Sequence, residues 1–177
     1  MMESERAEQA RAAIMRSLAA YRSGLGRLSG IGTSGRLTPA FEWRTDESNA
    51  LAEIVALGEV FTDDRFQDAY RAPMDALTWS HRHTKWRQHG VDLVGWRRWQ
   101  AMSGYIAARN AILHNNGHLT SAQTKSPERR QGTLTALRAA NLQITTGDRL
   151  MISHLDVEAA ALLIRDYIAW LDTTAPG

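Results

Sequence analysis

A chain of 177 residues, 44% hydrophobic and 23% charged, has the size and balance of one globular domain able to remove roughly 70% of its unfolded surface from water. It contains no cysteine, no apolar run of membrane-spanning length, and no apolar core in the charged start from Met1 to Ala10. These features exclude disulfide staples, thiolate metal ligands, a cysteine nucleophile, a spanning helix and a secretory signal, and they predict a cytoplasmic protein with no membrane partner.

The net charge is only +2, and Lys85 and Lys125 are the only lysines. Arginine suits bidentate phosphate contact, but arginine richness also follows from genome composition, so the charge alone decides nothing. Residues 3 to about 21 read as a first helix, with Ile14, Leu18 and Tyr21 at helical spacing, Ser4 as cap, and Glu5 and Glu8 in the first turns. Ser23 to Pro39 holds five glycines with no preceding strand and no Gly-Lys-Ser/Thr ending, which predicts a surface loop rather than a phosphate cradle. Residues 1–45 are therefore taken as an N-terminal extension of the domain formed by 46–177.

From Asp46 to Phe61 the apolar positions Leu51, Ile54, Val55, Leu57 and Phe61 follow the 3.6-residue period, with Gly58 a local weakness. Thr62-Asp63-Asp64 then reads as a break and a new N-cap. His81, His83 and His89 invite a metal reading, but no carboxylate or cysteine set accompanies them, so neither a metal nor a cofactor is expected. Trp79 and Trp86, seven apart, read as a buried stripe; with Arg82, Lys85, Arg87, Arg97 and Arg98 they would suit base stacking and phosphate contact if they lined a cleft.

A central helix is predicted to start near Val91 or Trp96 and to stop at Asn115 to Gly117, with Gly117 as C-terminal cap. Leu119 to Gly132 reads as an exposed loop and Leu134 to Ala140 as a short helical turn. The apolar runs on either side of Thr146-Gly147-Asp148 predict a small β-hairpin. Asp156 then caps a last helix whose apolar positions are Val157, Ala161, Leu162, Ile164, Ile168 and Leu171. The fold class is mainly α, a helical bundle with a small hairpin before the C-terminal helix.

The central helix carries the chemistry. Arg109, Asn110 and His114 stand among alanine, isoleucine and leucine, where a polar group must be satisfied or in use. At about 100° per residue, Asn110 and His114 share a face, whereas Arg109 and His114 lie about 140° apart and cannot converge on one point from a single ideal helix. The spacing R-x4-H is weak alone, since Arg149 to His154 repeats it in the expected hairpin.

The stretch from Arg109 to Gly117, R-N-A-I-L-H-N-N-G, resembles the motif of HEPN (higher eukaryotes and prokaryotes nucleotide-binding) domains, in which an arginine, a following polar residue and a histidine four to six positions on mark metal-independent RNases. The wider order from about Asn49 to Leu171 is also similar. The resemblance implies a HEPN-like bundle, commonly a homodimer whose motif helices meet so that two arginines and two histidines share one cleft. It implies an endoribonuclease acting in bacterial defence, as a toxin or under stress, with Arg109, Asn110 and His114 catalytic and RNA as partner. Asn115, Asn116, Arg97 and Arg98 would bind substrate, and a cognate antitoxin or neighbouring-gene partner would restrain the protein. The alternative is a non-catalytic HEPN-type RNA-binding or dimeric interaction module. A buried polar network that only pins the bundle is the structural counterpart of both.

Overall fold

The computed structural model describes residues 4–29, 46–76 and 78–176. They form seven α-helices and one two-stranded antiparallel hairpin: α1 Glu5–Ser29, α2 Asp46–Tyr70, α3 Trp79–Gln88, α4 Trp99–Asn115, α5 Ser121–Thr124, α6 Pro127–Ala139, β1 Gln143–Ile144, β2 Leu150–Met151 and α7 His154–Thr174. The mainly helical bundle with a hairpin before the last helix is thus the observed architecture, and among the described residues no helix is long and apolar enough to cross a membrane.

α2 is the central post, packing against α1, α4 and α7, while α6 covers a second side of α4. Ile14, Leu51, Ile54, Val55, Phe66, Met102, Ile112, Leu163, Ile164 and Tyr167 form the buried heart. α1 belongs to this core through Ala7, Ile14 and Leu18. Its start is also clasped to the far end of the chain: buried Asp172 accepts from Ser4 N at 2.8 Å and from Ser4 Oγ at 2.6 Å, and faces Arg65 Nε at 3.1 Å. Arg65 in turn donates to the carbonyls of Ala175 and Pro176.

Several element boundaries differ from the sequence reading. α1 runs on to Ser29, so the start of the expected glycine loop is helical; each added residue contributes a backbone bond, and Gly24 and Gly26 weaken the helix by only about 1 kcal/mol each. The remainder of that loop lies outside the described residues. α2 does not break at Thr62-Asp63-Asp64. Thr62 is buried and its hydroxyl turns back to Gly58 O at 2.7 Å and meets Tyr167 Oη at 3.0 Å, so it binds across the core instead of capping a new helix. Gly58 is a contact rather than a weakness, because a Cβ there would lie 2.9 Å from Ile164 Cγ2.

α4 begins only at Trp99, after a 3-10 turn at Leu93–Gly95 capped by Asp92. The expected loop at 119–132 contains α5 and the first six residues of α6. Thr120 and Gln123 make a reciprocal cap on α5, and Ser126, followed by Pro127 at the first helical position, starts α6. α7 is opened by Ser153, whose backbone N–H and hydroxyl both donate to Asp156, so Asp156 closes a capping box rather than serving as the N-cap. Leu162, expected in the core, is 54% exposed.

Candidate functional site

α4 is apolar almost all round, the pattern of a helix surrounded by protein, yet among the described residues one side of it is only partly covered, with Gln123 of α5 donating to Ala107 O at 2.8 Å. Gly104 brings α6 in: a Cβ there would run into Ala136 O and lie 2.7 Å from Ala140 Cβ. Met102 lies against α2, close to Gly58. Between these flanks Ser103, Ala107 and Asn110 are half-buried, Leu113 is 39% exposed, and His114 is exposed. Asn110 and His114 therefore share an accessible face, as their spacing requires.

Arg109 points elsewhere. Its Nη2 lies 2.9 Å from Glu59 Oε2 on α2, and Nη1 reaches Asn110 Oδ1 only at 3.5 Å. Its buried Nε has no hydrogen-bond partner among the described residues. Glu59 also receives Arg82 of α3, Nη1 to Oε1 at 3.1 Å, and Arg82 forms a bidentate pair with Asp63, both contacts 2.7 Å. Two carboxylates and two guanidinia thus form a neutral, half-buried ladder from α3 across α2 to α4. Burial disfavours the charged Arg82, but the hydrogen bonds and charge of Asp63, helped by Glu59, outweigh it and hold the guanidinium pKa above its ordinary value.

The residues behind the motif build the turn. Asn116 closes α4 at φ 51°, in the left-handed region, and Gly117 continues at φ 80°. Asn115 Nδ2 donates to Leu119 O at 2.8 Å. The hairpin fixes this end of the helix: Leu150 N donates to Gly117 O at 2.8 Å and Leu119 N to Asp148 O at 2.9 Å. His114, Asn115 and Asn116 are thereby held on a braced turn.

Arg97 and Arg98 are not near it. Arg98 is the residue before α4 and pairs with Asp166 of α7, and Arg97 is exposed beside it. The 16 residues from Arg98 to His114 span about 24 Å of helix, so these arginines and His114 mark opposite ends. The described tryptophans pack inward or against neighbouring side chains. Trp86 is fully buried, Trp96 stacks on Trp170 with centroids 5.9 Å apart, and Trp79 lies under the guanidinium of Arg82 at 5.6 Å.

His83 contacts Asp92 at 3.0 Å, an interaction that holds the Asp92 carboxyl below its ordinary pKa, and His89 Nδ1 faces Lys85 O. Among the described residues no group of three His, Asp or Glu side chains is placed to hold a metal ion. Asp63 and Asp64 are neither caps nor a metal pair: Asp63 holds Arg82, and Asp64 lies 3.7 Å from Arg6.

No family model, curated protein or solved structure matches the chain.

Sequence reasoning missed Glu59 and the role of Asp63 and Arg82. A signal was present, since Glu59 and Asp63 are four apart and adjoin the buried Gly58 and Thr62 on α2. A second signal lies in charge order: residues 46–76 hold eight Asp or Glu against two Arg, whereas residues 78–153 hold eleven Arg or Lys against three acids. Five of those eleven are in ion pairs, and Arg87, Arg97, Lys125, Arg129, Arg138 and Arg149 are in none among the described residues.

Proposed function

We propose that this protein is a metal-independent endoribonuclease of the HEPN type. The observation that carries the reading is the face of α4 left partly open among the described residues, where an exposed imidazole and a half-buried amide sit on an otherwise apolar helix with a guanidinium on its shoulder. An apolar helix with one open side fits pairing with a second copy, and two such faces in contact would bring the Arg109 of each chain toward the His114 of the other. That arrangement removes the 140° separation within one helix. The surplus of unpaired cations between residues 78 and 153 supports a polyanionic substrate.

In the proposed reaction the 2′-hydroxyl of RNA loses its proton to one imidazole and its oxygen attacks the adjacent phosphorus. The bond to the 5′-oxygen breaks, that oxygen takes a proton from the second, protonated imidazole, and the products are a 2′,3′-cyclic phosphate and a 5′-hydroxyl. Arg109 would stabilise charge on the phosphoryl oxygens, and Asn110 would orient His114 or the scissile group. Glu59 holds Arg109 at one end of its fork, while the buried Nε has no partner among the described residues. A role in defence, as a toxin or under stress, with an antitoxin or neighbouring-gene partner, belongs to the same proposal.

His114 provides the clean test because it is exposed and makes no hydrogen bond or ion pair among the described residues. The expected result is cleavage of RNA in EDTA with cyclic-phosphate ends, and loss of at least about 100-fold in His114→Ala at unchanged melting temperature. Full activity in that variant overturns the reading. The engagement of Arg109 by Glu59 favours a second one, a non-catalytic RNA-binding or dimeric module in which the ladder only fastens helices. Its signature is RNA retained with strong salt dependence and never shortened.

A further inference from the structure

A cleft of about 750 Å³ opens between the hairpin, the end of α4 and the first turns of α7. Ile112, which helps form its floor, is two residues and about 200° from His114, so the cleft lies on the opposite side of α4 from the motif face. Its volume is within the range of sites for small organic ligands, which combine apolar walls with a few placed polar groups.

The walls have that character. Ile112 and Leu150 are buried beneath it, while Met151 and Leu155, 55% and 63% exposed, hold two large apolar side chains at its sides with no covering element among the described residues. Arg149 stands at the rim with its backbone tied to Thr145 and its guanidinium in no ion pair among the described residues. Asp156, the one carboxylate in the lining, is engaged by the backbone N–H and hydroxyl of Ser153. Arg149 is therefore the cation of the lining, paired with no carboxylate among the described residues, beside apolar walls.

We infer that this cleft binds a small amphipathic organic anion, its carboxylate or phosphate on Arg149 and its apolar body between Met151 and Leu155. A guanidinium pairs bidentately with either head group, so the two share one recognition chemistry. Two exposed apolar side chains lose their exposure to water when the body is seated between them.

The test is a fluorescence titration of the full chain with anilinonaphthalene sulfonate, followed by displacement with decanoate, with naphthyl phosphate and with uncharged decanol. One saturable site is expected, displaced by at least one anion and not by decanol; the more effective anion identifies the head group. Arg149→Gln should weaken binding about tenfold, the size of a lost charge-assisted hydrogen bond. Ala159→Trp, at an exposed position in the lining, should fill the cleft and abolish binding while melting as the parent does. No saturable binding, equal binding by Arg149→Gln, or equal displacement by decanol overturns the inference. Ala159 lies off the motif face and carries no charge, so RNA cleavage scored in Ala159→Trp reports separately on the nuclease reading.

Discussion

Arg109 is the residue on which the structural and catalytic readings meet, and Glu59 decides its posture. The glutamate is 14% exposed and serves two guanidinia, Arg109 at 2.9 Å and Arg82 at 3.1 Å. Removing it leaves two partly buried cations short of one partner each, a loss worth about 3 kcal/mol when a buried pair is broken from one side. Glu59→Ala is therefore expected to lower stability by about that amount in urea unfolding. A change below about 0.5 kcal/mol would show that the ladder is not a fastening. Arg109 was legible in the sequence as a polar group in an apolar helix. Its partner was not, because the pairing crosses 50 residues and depends on how α2 meets α4.

At the scale of elements, two glycines set how closely the helices approach. Gly58 admits Ile164 of α7, and Gly104 admits the backbone of α6. The second contact is with a carbonyl and cannot be relieved by turning a side chain. Gly104→Ala should gain helix propensity and still lose about 3 kcal/mol through overpacking. Thermal unfolding checks this, and an unchanged or raised midpoint would contradict the packing of α6 on α4. The exposed Gly132, with nothing within 4 Å of an added Cβ, is the control: Gly132→Ala should stabilise α6 by about 0.5–1 kcal/mol.

The element boundaries show what local sequence could reveal. Periodicity disclosed α2 and α7, and Thr146-Gly147-Asp148 disclosed the hairpin. α6 was hidden because arginines and threonines dilute its apolar stripe, although Ser126-Pro127-Glu128 is a strong start signal. The supposed break in α2 came from reading Thr62-Asp63-Asp64 as a local cap. Its side chains are used instead by Tyr167, Arg82 and Arg6, partners that only folding supplies.

Across the whole molecule, the core holds tyrosine hydroxyls that resist ionisation. Burial first, with the Asp156 charge adding to it, pushes the Tyr105 pKa up to about 12 from 10.0, and burial also raises that of Tyr167. A group whose folded pKa exceeds its unfolded one contributes stability that is complete below the unfolded value and disappears as pH climbs through the folded value. The protein should thus hold its urea midpoint up to about pH 10 and lose it steadily between about pH 10 and 12. Tyr105→Phe should make that loss shallower. A midpoint flat to pH 12 would mean that these hydroxyls are not buried as described.

Composition and periodicity determined the helical class, the hairpin and the polar trio on the central helix, because each is written in neighbours within a few turns. The 140° between Arg109 and His114 was also fixed by the sequence, since the helical repeat alone sets it. Only the tertiary structure decided which side of α4 stays open, that Glu59 and Asp63 are the counter-charges of Arg109 and Arg82, and that Arg97 and Arg98 sit a helix length from His114. Those outcomes depend on which helices pack together, and packing is settled by shape and charge between residues far apart in the chain.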